Sequence, residues 1–147
     1  EWLKRANENK LLVEGEQIKV PKISYTLVVS KKQRKLFWKR GNEIIKAYPV
    51  SIGHRNTRTP VGEFKIIEKI PHPTWYHMKK VIAPDSPKNL LGTRWFGLDH
   101  KGYGIHGTRD PKSIGEAASH GCIRMFNHDV EELFDWVPVG TQVIIQN

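Results

Sequence analysis

The sequence predicts a mainly β domain, a mixed sandwich or barrel with one short helix, on three observations. Apolar and polar residues alternate with period two over several segments, the pattern of a strand with one buried face. Polar turns rich in Gly, Asn and Pro punctuate those segments. Only one stretch repeats its apolar residues at helical spacing. With 147 residues and 38% hydrophobic content, the chain can bury one ordinary core.

Taken in order, residues 1–22 read as a short helix, then Gly15 and a strand ending at Pro21, set apart from a main domain over residues 23–147. The first strand of that domain places Tyr25, Leu27 and Val29 against Thr26, Val28 and Ser30. Leu36 and Trp38 around Phe37 mark a second strand, and Arg40-Gly41-Asn42-Glu43 reads as a hairpin turn in which Gly41 and Asn42 supply positive φ. A third strand fits Glu43 to Ile52. A fourth fits Gly62 to Ile70, with Phe64, Ile66 and Ile70 on one face. Shorter strands fit Thr93 to Leu98, Tyr103 to His106 and Thr141 to Ile145. The helix starts at Asn127 as N-cap and places Val130, Leu133, Phe134 and Val137 on one face. Asp129, Glu131 and Glu132 suit its positive end, and Pro138 with Gly140 stops it. Pro71 to Leu91, with four prolines, Trp75 and Tyr76, is too long for a simple hairpin loop; it reads either as a lid or as a surface excursion pinned by its own aromatics.

The charge narrows the class of partner. Twenty-four Lys and Arg against 15 Asp and Glu give +9, which points to an acidic partner such as nucleic acid, an anionic membrane or an anionic wall polymer. No nucleic-acid motif is present: runs such as Lys31-Lys32-Gln33-Arg34-Lys35 read as solvated turns. No apolar run approaches the roughly 18–20 residues that cross a bilayer, so a soluble chain is expected. It opens on Glu1 and not Met, which is compatible with removal of an export signal or an upstream domain. One cysteine excludes an internal disulfide, and in an exported protein an unpaired Cys suggests a reactive thiol.

That cysteine lies in the most informative stretch of the chain. Gly104-Ile105-His106-Gly107-Thr108 is followed after a short loop by Ser119-His120-Gly121-Cys122-Ile123-Arg124-Met125. A thiol is a weak nucleophile near its free pKa of about 8.5 and needs a base, for which His106 is the candidate. A base must itself be oriented. No Asp or Asn is an obvious third member, so the Gly107 carbonyl is the candidate orienter. Gly121 lets the backbone approach a substrate, and the amides of His120, Gly121 and Cys122 can converge on an oxyanion. Arg124 reads as a fork for a substrate carboxylate or as a brace for the loop, and the side chain of His120 as structural. His100, His106, His120 and Cys122 could surround zinc, but their spacing matches no paired-ligand signature. The reading therefore calls for no metal and no organic cofactor.

Ile105-His106-Gly107-Thr108 with Ser119 to Met125 resembles the signature of the L,D-transpeptidase catalytic domain family, and the likeness runs from about Tyr25 to Ile145. It includes Thr59-Pro60-Val61-Gly62-Glu63-Phe64 and Gly140-Thr141 with Val143. The resemblance implies the β fold of that family and a bacterial enzyme of the cell envelope, periplasmic or extracellular, acting on peptidoglycan stem peptides. It implies that Cys122 attacks the bond before the terminal D-alanine, that His106 is the base with the carbonyl after it as orienter, and that the Ser-His-Gly-Cys backbone forms the oxyanion hole. Ser119, Arg124, Trp75 and Tyr76 are the expected substrate contacts. Leu3 to Pro21 resembles the C-terminal half of a lysin motif, a glycan-binding module. A monomer is expected. An L,D-carboxypeptidase with water as acceptor would use the same residues, and a wall-binding module with an inert Cys122 is the reading from a different class.

Overall fold

A computed structural model of the chain describes residues 23–147, and the half lysin motif expected over residues 1–22 lies outside the described residues. The strands are β1 (Tyr25–Ser30), β2 (Lys35–Arg40), β3 (Glu43–Gly53), β4 (Gly62–Pro71), β5 (Trp75–His77), β6 (Lys80–Ile82), β7 (Arg94–Leu98), β8 (Gly104–His106), β9 (Ala117–Ser119), β10 (Ile123–Met125) and β11 (Gln142–Gln146). The helix α1 spans Asn127–Trp136, and a 3-10 turn at Pro111–Ser113 lies between β8 and β9. Nine strands form one sheet in the order β10-β8-β7-β4-β11-β1-β2-β3-β9. Because β10 also pairs with β3, the sheet closes on itself as a barrel, the mainly β fold expected. β5 and β6 form a separate hairpin.

Period two holds where one face is buried. Leu27 and Val29 of β1, Leu36 and Trp38 of β2, and Tyr48, Val50 and Ile52 of β3 all point into the core, joined there by Phe96, Ile105, Ile123, Val143 and Ile145. Val130, Leu133 and Val137 are fully buried, with Phe134 packed beside them, so α1 lies against β7 and β8. Tyr48 donates to Glu132 on α1 at 2.7 Å, and Lys46 pairs with the same carboxylate, which fastens the outer side of the helix to β3.

Four details depart from the sequence expectation. Phe126, not Asn127, occupies the N-cap, and its phenyl ring carries no acceptor for a cap bond; the Asn127 oxygen accepts instead from the amides of Thr93 and Thr108. Of the turn residues Gly41 and Asn42, only Gly41 has positive φ. Ile70 leaves the face shared by Phe64 and Ile66: the pairing of β4 with β7 shifts register between Ile66 and Glu68, and Ile70 is left 39% exposed. The stretch from Pro71 to Leu91 contains a hairpin, β5-β6, whose two turn residues Met78 and Lys79 both have positive φ. That is the backbone of a two-residue hairpin turn, here built without the usual Asn or Gly. The buried Asn89 ties the base of this segment together, donating to the carbonyls of Pro73 and Ala83 while accepting from the Leu91 amide.

Candidate active site

β8 and β10 are parallel neighbours, with Ile123 opposite Ile105 and Arg124 opposite His106. The 16 residues between His106 and Ile123 therefore form a crossover that returns the chain to the strand it left, and Cys122 arrives immediately before β10. On the other side of β8, β7 runs antiparallel and sets Trp95 opposite His106. The Trp95 ring stacks on the imidazole with centroids 5.8 Å apart, and its indole nitrogen donates to Glu68. His106 and Cys122 line one cavity of about 250 Å³ together with Arg124, His120, Trp75 and Tyr76. A neighbouring lobe of about 380 Å³ shares Trp75, Tyr76, Leu91, Gly102 and Cys122 and adds Trp95 and Ile70. The segment Pro71 to Leu91 thus supplies a wall of the cleft.

The imidazole is 4% exposed, and its Nδ1 contacts the Gly107 carbonyl at 2.5 Å. A carbonyl can only accept, so Nδ1 carries the proton and Nε2 is left as the basic nitrogen. Burial lowers the pKa of His106 to about 4, opposed by the backbone bond to Gly107 and reinforced by the charge of Arg124. Burial also pushes the Cys122 thiol up, against the smaller opposing effects of a backbone bond at Gly104 and of Arg124. Its sulfur lies 3.6 Å from the Gly102 carbonyl. At neutral pH the pair is therefore an uncharged thiol and an uncharged imidazole. Such a pair can pass a proton as the sulfur attacks, without a standing thiolate.

The turn before Cys122 is braced from three directions. Ser119 is 2% exposed; its hydroxyl donates to the Cys122 carbonyl and accepts from the Gly121 amide. Ser119 lines the cleft as expected and also shapes the turn, whereas the Gly121 amide is already engaged, which leaves the amides of His120 and Cys122 as the oxyanion candidates. Gly121 has φ of +120°, and a Cβ there would strike the Tyr103 ring, so only glycine fits. The loop after β3 clamps the same turn: the His54 amide and the Thr57 hydroxyl donate to the Ser119 carbonyl, and Thr59 donates to the Gly121 carbonyl at 2.9 Å while accepting from Gly53.

Thr59→Val is expected to leave two buried backbone groups without partners, costing about 2–4 kcal/mol in denaturant unfolding, with Thr59→Ser restoring most of it. A loss below about 0.5 kcal/mol, the scale of an ordinary surface substitution, would show that the clamp does not hold the turn.

Trp75 and Tyr76 line the cleft, Tyr76 being 76% exposed. His120 is exposed at the mouth instead of packed in a structural role. Arg124 lines the cavity, and its Nε is buried without a partner. Among the described residues, no three His, Cys, Asp or Glu side chains gather as a metal site, and His100 instead packs on Phe64 and Tyr103. Trp95, Thr59, Tyr103 and Asn127 belong to the site although sequence reasoning did not assign them there. Only Thr59 carried a signal, as part of the Thr-Pro-x-Gly-x-Phe segment.

The sequence profile of the L,D-transpeptidase catalytic domain (YkuD) matches residues 24–145. YqjB of Bacillus subtilis, which bears an L,D-transpeptidase name, is 43% identical over 124 residues, covering 81% of this chain and 69% of its own. YkuD of the same organism, similarly named, is 39% identical over 140 residues, covering 91% of this chain and 77% of its own. An L,D-transpeptidase from Mycobacterium tuberculosis shares the fold with TM-score 0.70 at 20% identity, over 85% of this chain and 58% of that one. The catalytic domain of the Enterococcus faecium L,D-transpeptidase does so with TM-score 0.69 at 24% identity, over 84% and 97%. The chain spans about three fifths of the mycobacterial chain and nearly all of the isolated enterococcal domain. With the profile matched across the barrel and the two Bacillus proteins similar over most of their length, this chain belongs to the L,D-transpeptidase catalytic domain family, enzymes that act on the peptides of peptidoglycan in the cell envelope.

Proposed function

We propose that residues 23–147 form a peptidoglycan L,D-transpeptidase, exported to the envelope, in which Cys122 is the nucleophile and His106 its base. The observation that carries this reading is the shared cleft: the only cysteine of the chain lines it together with a buried imidazole whose Nδ1 is held by the Gly107 carbonyl. Sγ bonds to the carbonyl carbon before the terminal D-alanine as His106 takes the thiol proton. The amides of His120 and Cys122 receive the oxyanion. His106 then protonates the departing nitrogen, D-alanine leaves, and a thioester remains. The amine of a neighbouring stem attacks the thioester, its proton passes to His106, and the sulfur leaves as thiolate to be protonated again. Arg124, which lines the cleft, is suited to a substrate carboxylate, and Trp75 and Tyr76 to the body of the stem.

Incubation with a defined disaccharide tetrapeptide tests the proposal by mass. The expected products are free D-alanine and a cross-linked dimer joined through two third-position residues. Tripeptide alone would overturn transfer in favour of hydrolysis by the same residues, and intact substrate would overturn both.

A further inference from the structure

We propose that Asn127 is a positioning residue for His106, acting across the Gly107–Thr108 peptide; the proposal rests on the acyl-transfer reading above. Asn127 begins α1, three residues beyond Arg124, and its side chain turns back toward the strand that carries the imidazole. Its Oδ1 accepts from the amides of Thr108 at 3.0 Å and Thr93 at 3.3 Å. The Thr108 N–H and the Gly107 C=O belong to one peptide unit. That unit is planar and trans, so its N–H and C=O point in opposite directions, and fixing one fixes the other. At the opposite edge of that plane the Gly107 carbonyl meets His106 Nδ1. Asn127, the peptide and the imidazole thus form one hydrogen-bonded line, in which an acceptor on the N–H also makes the carbonyl a stronger acceptor.

Asn127 therefore takes the place of the third member of a Cys-His-Asn arrangement, with a main-chain peptide interposed between amide and ring. The surroundings are cut to its shape. A Cβ on Gly107 or on Gly92 would overlap Oδ1, so both positions are glycine where the carboxamide sits. The second bond, to Thr93, reaches the chain where it leaves the cleft wall for β7, and the Thr93 carbonyl accepts from His72 at the other end of that segment. One side chain thereby sets both the Gly107 carbonyl and the root of the wall containing Trp75 and Tyr76. Arg124 is the charged side chain whose field reaches His106, and it lies on β10, outside this line.

The test uses the whole chain with histidine labelled at both ring nitrogens. In the wild type, Nδ1 of His106 is expected to give the shift of a protonated nitrogen and Nε2 that of a bare one. Asn127→Ala is expected to average the two shifts and to lower kcat about 10- to 100-fold with KM within about twofold, the scale of losing an outer partner that orients a ligating or basic imidazole. Asn127→Asp keeps the acceptor and adds charge to the line. It is expected to recover kcat to within about threefold of wild type and to move the acid limb of the pH profile upward. Wild-type shifts and kcat in Asn127→Ala would overturn the proposal. So would a fall in unfolding temperature with unaltered shifts, or an acid limb that Asn127→Asp leaves in place. The nitrogen shifts are read without substrate, so they judge the line of bonds even if a stem peptide is not turned over, whereas failure of turnover in the wild type sinks the acyl-transfer reading instead.

Discussion

Cys122→Ala is expected to abolish both D-alanine release and cross-linking, a loss of about 10⁴- to 10⁶-fold, with the unfolding midpoint nearly unchanged. No second thiol can substitute, because the chain has one cysteine. The barrel should tolerate the change, since Cys122 is only partly buried at the cleft, outside the closed core of Leu27, Phe96, Ile105 and Ile123. Its carbonyl, the group Ser119 holds, remains in the variant. Rate measurements with a stem tetrapeptide, paired with thermal unfolding, check the result. Residual turnover above about 1% of wild type would mean that another group attacks, because losing a covalent nucleophile ordinarily costs far more.

His106→Gln is expected to lower kcat/KM about 10²- to 10⁴-fold, the usual worth of a positioned general base. The pH profile separates this from a steric effect. Burial first, and the Arg124 charge after it, hold the His106 pKa down to about 4. Below that pH the imidazole already carries a proton and cannot take one from the thiol. Wild-type kcat/KM should therefore rise through about pH 4 and reach a plateau before neutrality. In the glutamine variant the sulfur must ionise unaided. Because burial pushes the Cys122 thiol up, the remaining activity should climb only on the alkaline side. A wild-type acid limb near pH 6.5, the ordinary value for histidine, would show that the imidazole is not held in the buried neutral state described here.

Much of the barrel was legible because its strands bury one face. The alternation in β1, β2 and β3 marks which side chains point inward, and a one-residue slip would expose Leu27, Val29 and Leu36 together. The hairpin β5-β6 was not legible. Its turn places Met78 and Lys79 at positive φ, where sequence signals point to Gly or Asn. β9 and β10 were missed for another reason: each has three residues, and they exist through pairing with β3 and β8, contacts that local periodicity does not encode.

In the site, His106 and Cys122 stood out by residue type and motif, and the Gly107 carbonyl by the need to hold the ring. Ser119 and Asn127 did not yield their roles. Ser119 reads as a substrate contact, and only the structure shows its hydroxyl also bonded to the Cys122 carbonyl and the Gly121 amide. Asparagine before an apolar helical run reads as an N-cap, and here the amides of Thr93 and Thr108 compete successfully for the same oxygen.

The most direct measurement stops the reaction with a stem tetrapeptide in acid within a single turnover and maps the acylated residue by tandem mass spectrometry. The tripeptide acyl group is expected on Cys122, formed in the wild type and absent in Cys122→Ala. Acylation at any other residue, or full turnover with Cys122 never modified, would mean that Cys122 is not the nucleophile.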